Sequence, residues 1–312
     1  MIVLATGAGV YHPDEYLYGA HPHVLLWYEL DQRIAHRDSL ITGSRCAVFI
    51  QCVGSRQTEH PYCSRICCMH SVQSALKIKE INSDAQIYIL YRDLRTFGLM
   101  ERIYQEARAK GVIFIRYTPD NKPLVRAGEN GGLEVEILDP ILQRPILIRP
   151  DFINLATAIE PSANENLSRY LKVPLTENGF FMEAHAKLRP VDFASDGIFV
   201  CGLAHYPKPI EESLAQAMGA AARAVRVLAQ GVWVTSGISA SIDPGGCVGC
   251  MGCVEVCPYG AISFIEDRRV CEVNRALCKG CGACAAACPS GSATLSGFTR
   301  KQIHAQLSAA LN

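Results

Sequence analysis

The sequence has no surplus of charge: 30 Lys and Arg stand against 30 Asp and Glu in 312 residues. That balance leaves no basic footprint for nucleic acid. No apolar run approaches the roughly 20 residues that cross a bilayer, so no segment reads as a span. The apolar start, Met1 to Thr6, is short and lacks a basic lead, and does not read as a secretory signal. A glycine-rich strand-turn-helix for a dinucleotide pyrophosphate is missing too. Gly7-Ala8-Gly9 is the only G-x-G near a strand end, and His12-Pro13 follows in place of a third glycine and a helix, so it reads as a turn. What is abundant is cysteine: fifteen residues in metal-type spacings, which without secretion suit a reducing cytoplasm. With 49% apolar residues the chain buries sizeable cores, and its length predicts two or three units.

Eight of the cysteines fall into two copies of one spacing, each closed by a proline: Cys247, Cys250, Cys253, Cys257-Pro258 and Cys278, Cys281, Cys284, Cys288-Pro289. In this pattern three thiolates hold three corners of one cubane and the fourth reaches the other cluster of a two-cluster ferredoxin unit. Cys247, Cys250, Cys253 and Cys288 are therefore assigned to one 4Fe-4S cluster, and Cys278, Cys281, Cys284 and Cys257 to a second. Structural zinc is the alternative, since paired C-x-x-C elements also build tetrahedral sites. Zinc ribbons place two pairs on separate hairpins, whereas each run here offers three close sulfurs and a fourth before proline. Small fillers such as Gly249, Gly252, Gly280, Gly282 and Ala283 let backbone amides approach the sulfur.

Upstream, apolar strands alternate with helical patterns, which predicts a parallel, Rossmann-like sheet in an α/β fold. Met1 to Gly7 reads as a strand entering a glycine turn, with no residues before it to complete a sheet, so the chain is expected to begin mid-domain. A helix is expected over 24–34, a strand over 45–52, a helix over 63–81, strands over 86–91 and 112–117, and a helix over 99–110 between them. Short strands joined by the Glu129-Asn130-Gly131-Gly132 turn follow, then a strand at 152–156. A further strand runs from Asp196 into Gly202, and a long Ala-rich helix from Pro209 carries Glu211 and Glu212 in its first turn. Residues 231–246 are read as a linker, and 300–311 as a tail helix.

Four more cysteines, Cys52, Cys63, Cys67 and Cys68, gather around a strand end and a helix start. Cys63 and Cys67 share a helical face, and the set reads equally as another metal site or as buried thiols.

The segments Phe49-Ile50-Gln51-Cys52-Val53-Gly54-Ser55-Arg56, Tyr62-Cys63-Ser64-Arg65-Ile66-Cys67-Cys68-Met69 and Tyr91-Arg92-Asp93-Leu94-Arg95-Thr96-Phe97-Gly98 resemble the A subunits of heterodisulfide reductase, an iron-sulfur flavoprotein family. The likeness continues through Lys187-Leu188-Arg189-Pro190 and the ferredoxin unit. It implies that Cys52, Cys63, Cys67 and Cys68 bind a third 4Fe-4S cluster beside a flavin. It also implies a thioredoxin-reductase-like fold, in which that cluster takes the place of the pyridine nucleotide in a nested domain. The expected units are a partial FAD-domain segment at 1–39, the nested Rossmann-like domain at 40–149, the rest of the FAD domain at 150–237, the ferredoxin domain at 238–296 and the tail at 297–312. Thr6, Gly7, Gly197, Ile198, Gly202, Lys208 and Ile210 resemble flavin contacts, with the Ile210 helix aiming its N-terminus at the isoalloxazine. The pyrophosphate-binding segment is absent, so FAD is expected to be shared with a separate amino-terminal chain. Gln73 stands where the family leads one to expect a lysine, which puts electron bifurcation in doubt.

His60, His70 and His205 are read as surface or packing residues, and Cys46, Cys201 and Cys271 as core thiols. Asp93, Arg95 and Glu101 are read as a turn and a helix start. The expected function is an electron-transfer oxidoreductase subunit relaying electrons between flavin and 4Fe-4S clusters, with ferredoxin and sister redox subunits as partners. The alternative is a flavin-free wiring subunit. No residue is expected to do acid-base work on a substrate.

Overall fold

In the computed structural model, residues 1–128, 131–230, 237–275 and 277–311 are described. The centre is a five-stranded parallel sheet of order β3-β10-β4-β5-β6, formed by β3 (Val24–Leu26), β10 (Phe152–Thr157), β4 (Cys46–Val53), β5 (Gln86–Tyr91) and β6 (Ile113–Arg116). Its strands are apolar along their length because both faces are covered, and successive residues feed opposite cores. On β4, Ala47 and Phe49 join Leu30, Ile34, Val72, Leu76 and Ile78 from α1 (Trp27–Ala35) and α3 (Cys67–Ile81). Val48 and Ile50 turn to the other side, where they meet Leu133, Val135 and Ile137. Those three belong to β8 (Leu133–Asp139), the middle of an antiparallel sheet with β7 (Leu124–Ala127) and β9 (Arg144–Ile148). Cutting the fully buried Phe49 to Ala would cost about 3–5 kcal/mol.

This nested unit is wider than 40–149, since two of its five strands come from 24–26 and 152–157. The helix expected from Val24 starts three residues later. Val24, Leu25 and Leu26 pair with Ile153, Asn154 and Leu155 instead, so the sheet edge overrides the helical pattern. Likewise the helix expected from Cys63 begins at Cys67, because Arg65 adopts a left-handed φ of 62°. Gly98–Met100 forms one 3-10 turn ahead of α4 (Glu101–Ala109). Of the expected 129–132 turn, residues 129 and 130 lie outside the described residues.

The flanking pieces pair across the sequence. β1 (Ile2–Leu4) runs parallel to β12 (Ile198–Val200), and β2 (Ala8–Val10) antiparallel to β11 (Ile159–Pro161). α6 (Ile210–Leu228) packs Ala220 and Ala224 against Phe199 and Cys201, the close approach that an Ala-rich face permits. The ferredoxin unit pairs β13 (Ala240–Ile242) with β16 (Ala293–Leu295) and β14 (Ile262–Ile265) with β15 (Val270–Val273). β13 lies within the stretch read as a linker, whose first residues, 231–236, lie outside the described ones. α9 (Arg300–Leu311) follows as an exposed helix, as expected. Among the described residues no helix is long and apolar enough to cross a membrane.

Candidate redox site

β4 ends in a turn that only a narrow set of residues tolerates. Cys52 has φ 60°, Gly54 71°, Arg56 60° and Arg65 62°, so three non-glycine residues in the left-handed region gather in the end of β4 and the loop that follows it. Such strain gathers where the surroundings over-determine the backbone. At Gly54 a Cβ would stand 2.1 Å from the Tyr11 ring, so no side chain fits. The loop is closed by Ser55 Oγ donating to the Tyr62 carbonyl at 2.8 Å and by the Tyr62 hydroxyl donating to the Ile159 carbonyl at 2.8 Å.

The result is a small cavity lined by all four thiols, Cys52, Cys63, Cys67 and Cys68, with Arg56, Arg65, Asp93 and Arg95 at its wall. Burial pushes the Cys67 thiol well up and the Cys68 thiol to about 11, and raises Cys52 against the opposing pull of Arg56 and Arg92. Thiols that resist ionisation in apolar surroundings become ligands once a metal replaces the proton. The arginines offset the negative charge that follows. Asp93, read as a turn residue, anchors them: it takes Arg56 at 2.6 Å and Arg116 at 3.3 Å. The Arg56 hydrogen bond holds its carboxyl below the usual range.

A second, apolar pocket of about 520 Å³ adjoins the cavity, and Cys67 lines both. Trp27, Ile66, Met69, Ala156, Leu203 and Ile210 form its walls, and His70, Gln73, Thr157 and Lys208 its polar points. It opens on the N-terminus of α6, where the first intrahelical bond runs from Ser213 N to the Pro209 carbonyl and leaves the preceding amides free of helical partners. Thr157 Oγ1 is buried and lacks a partner among the described residues. Apolar walls with a few convergent polar groups and a helix N-terminus fit a planar aromatic ring with carbonyl edges.

Lys208 is 7% exposed, not a solvated loop residue. Its ammonium donates to the Gly202 carbonyl at 2.6 Å and the Tyr206 carbonyl at 2.7 Å, and burial lowers its pKa to about 8. His205 is no free surface residue either. Its Nε2 meets Glu183, and its Nδ1 accepts from Gln216 Nε2 at 2.9 Å, while Gln216 Oε1 accepts from Gly202 N. His70 pairs with Asp31 at 2.8 Å and His60 with Glu160 at 3.4 Å.

Of the expected flavin contacts, Lys208 and Ile210 line this pocket. Thr6, Gly7 and Gly202 follow the carboxyl ends of the paired strands β1 and β12. Gly197 and Ile198 lie at the opposite end of β12, where the Gly197 carbonyl accepts from Ile2 N. Sequence reasoning passed over Trp27, Met69 and the arginine ring; the run of Arg56, Arg65, Arg92 and Arg95 around the cysteines was the available signal.

In the ferredoxin unit a second small cavity is lined by Cys257, Cys278, Cys281 and Cys284, the set expected for one cluster. Backbone amides point at the sulfurs: Ala240 N to Cys278 and Ala261 N to Cys257, each 3.3 Å, and Cys271 N to Cys247 and Ala293 N to Cys288, each 3.5 Å. Glycines make room for this. A Cβ on Gly249 would come 2.7 Å from the Arg269 carbonyl, and one on Gly280 2.7 Å from the Ile238 carbonyl. The other expected set is distributed over α7 (Gly252–Glu255), which packs on α8 (Ala283–Ala287), and the loops around them. Ser290 first, then the Ala293 amide, bring the Cys288 thiol down to about 7. Among the described residues no three His, Cys, Asp or Glu side chains are placed to share one metal ion.

Comparison with known proteins agrees. Residues 246–292 match the family model of the 4Fe-4S dicluster domain. The chain is 39% identical to the A subunit of the H(2):CoB-CoM heterodisulfide,ferredoxin reductase of Methanothermobacter thermautotrophicus, over 100% of this chain and 49% of that protein. It is 37% identical to the first iron-sulfur A subunit of the CoB--CoM heterodisulfide reductase of Methanopyrus kandleri, over 99% of this chain and 50% of that protein. Among solved structures, thioredoxin reductase of T. acidophilum matches with a TM-score of 0.50 at 14% identity, over 73% of this chain and 66% of that one. The flavoprotein disulfide reductase RclA of Escherichia coli also matches at 0.50, with 13% identity, over 77% and 48%. The fold is therefore thioredoxin-reductase-like, extended by a dicluster domain. The chain spans about half the length of the curated relatives it matches. Those homologues are A subunits of heterodisulfide reductase, and this chain corresponds to their C-terminal part.

Proposed function

We propose that the chain is an electron-transfer oxidoreductase subunit, wiring a flavin in the apolar pocket to a 4Fe-4S cluster on Cys52, Cys63, Cys67 and Cys68 and to two more in the ferredoxin unit. The observation that carries this reading is Cys67, whose side chain forms part of both the pocket and the four-thiol cavity. Bound flavin supplies the exchange between two-electron and one-electron chemistry. The chain's own residues would bind and orient it: the α6 amides and Lys208 would supply positive character at one end of the pocket, and Trp27 and Met69 would pack against the ring. Arg56, Arg92 and Arg95 balance the thiolate charge. Gln73 lines the pocket as a neutral group, and among the described residues that line it Lys208 places the fixed cation.

FAD would be shared with a further polypeptide segment. In support, Ile2 and Val3 of β1 are exposed, as are Ile210, Leu214 and Met218, which lie one turn apart on α6. Ferredoxin and sister redox subunits are the proposed electron partners, and the cytoplasm the proposed compartment. The test is the iron, acid-labile sulfide and flavin content of the anaerobically purified chain, alone and with the segment that completes the flavin domain. Three clusters with flavin only in the paired sample support the reading. Three clusters without flavin in either sample leave the wiring role, and zinc without iron overturns both.

A further inference from the structure

Lys208 belongs to two pockets. It lines the apolar one, and it also lines a separate, polar pocket together with Arg65, His205, Glu212 and Gln216. Two carboxylates act on its buried ammonium: Glu212, already forked onto Arg65, and Glu183, which is linked to it through His205. The hydrogen bonds assign the protons of that link. The Gly202 N–H can only donate, so the Gln216 atom 2.9 Å from it is the amide oxygen, and the amide nitrogen faces His205. That nitrogen donates to His205 Nδ1 at 2.9 Å, which leaves Nδ1 without a proton and puts the ring hydrogen on Nε2, toward Glu183. Lys208 Nζ lies 3.4 Å from the same Nδ1, while it donates to the Gly202 and Tyr206 carbonyls at 2.6 and 2.7 Å. Carboxylate, imidazole and ammonium thus form one connected chain, with the imidazole oriented by the carboxylate on one side and meeting an acid on the other.

We propose that Glu183, His205 and Lys208 form a proton path from the polar pocket to the apolar one, with Lys208 as the acid at its inner end. This deepens the reading of the apolar pocket as a flavin site and rests on it. Lys208 gives one Nζ proton to the bound group as that group gains electrons from the clusters, and is left as a neutral amine. His205 then takes a proton from solvent in the polar pocket at Nδ1, where Glu183 stabilises the imidazolium, and passes it to the amine. The three side chains end as they began, and one proton has moved inward; the reverse order carries it out on reoxidation. A surface lysine near 10.5 holds its proton too firmly for this. Burial brings Lys208 down to about 8, with Arg65 pulling the same way and Glu212, Glu183 and Cys201 opposing.

The test uses the full chain with the segment that completes the flavin domain, and flavin content is measured first. A sample without flavin overturns the reading of the pocket and leaves the path without an acceptor; a sample with flavin puts the path itself to the test. In the chain alone, competitive acetylation of Lys208 over a pH series, read by peptide mass spectrometry, gives its titration midpoint. Glu183→Gln lowers that midpoint by about one pH unit, because the carboxylate linked through His205 is gone. In the paired sample, stopped-flow reduction by dithionite is followed at the flavin absorbance. His205→Ala slows it about a hundredfold and added imidazole restores most of the loss; Lys208→Arg, which keeps the charge but holds its proton, is as slow as Lys208→Met. Should His205→Ala fail to fold, Glu183→Gln and Lys208→Arg decide. An unmoved Lys208 midpoint in Glu183→Gln, a wild-type rate in His205→Ala or Lys208→Arg, or a loss that imidazole does not relieve overturns the proposal.

Discussion

The cysteines of the ferredoxin unit and those around Cys52 make two different kinds of site. In the ferredoxin unit Cys250 and Cys281 are exposed while Cys253 and Cys284 are buried, and backbone amides meet the sulfurs at 3.3–3.5 Å. Around Cys52 the thiols are desolvated, the backbone is strained and arginine side chains supply the counter-charge. A site that a short sequence run can build by itself contrasts with one that needs a whole domain to hold it. The first carries two of its thiols at the surface; the second is set beside an apolar pocket.

Removing the shared ligand tests this contrast most severely. Cys67→Ala is expected to lose the cluster of the Cys52 site, about a third of the iron and sulfide, while the EPR signals of the ferredoxin pair persist. Loss of all iron would mean the two regions are not independent. The next effect is on pH. Burial raises Cys52, Cys67 and Cys68, so filling their site releases protons and strengthens as pH rises toward 11; in the ferredoxin unit burial also raises Cys253 and Cys284, while Cys288, at about 7, is already largely ionised at pH 8. Iron incorporation during reconstitution is expected to climb more steeply with pH in the wild type than in Cys67→Ala. Equal slopes would erase the difference in burial.

Lys208 sharpens the comparison further. Its folded pKa, about 8, lies below its ordinary 10.5, so the unfolded chain binds more protons between those values and stability rises with pH across that window. Lys208→Met is expected to be more stable at pH 7, by about 1 kcal/mol once the shift is discounted for solvent screening, and to lose that slope in denaturant titrations. The smallest effect is expected from Arg65→Ala. It breaks the forked pair to Glu212, with contacts of 2.6 and 2.9 Å, that ties the cysteine loop to α6, but the pair is part-exposed and worth under about 1 kcal/mol. A thermal shift of more than a few degrees would show that the loop depends on it.

How far each region could be read from sequence follows from the same difference. The dicluster unit was legible because its chemistry is written in local spacing, and Cys257 lines one cavity with the cysteines of the second run. Cys52 and Cys63 meet only through the fold, so spacing left their role open and the family resemblance supplied it. The apolar pocket was half legible: Lys208 and Ile210 lie next to a recognisable helix start, whereas Trp27 and Met69 arrive from distant elements. Val24–Leu26 was misread because an apolar triplet carries no period of its own; its partner β10 decides it. The nested unit was drawn too narrow for the same reason, since strands from both flanks complete its sheet.

The central claim is that four thiols from a strained loop and a helix start hold iron beside a flavin pocket. Mössbauer quantification of cubane iron in the anaerobically purified full chain tests it most directly. The account predicts three cubanes per chain, one of them missing in Cys67→Ala. Two cubanes in both proteins would contradict it.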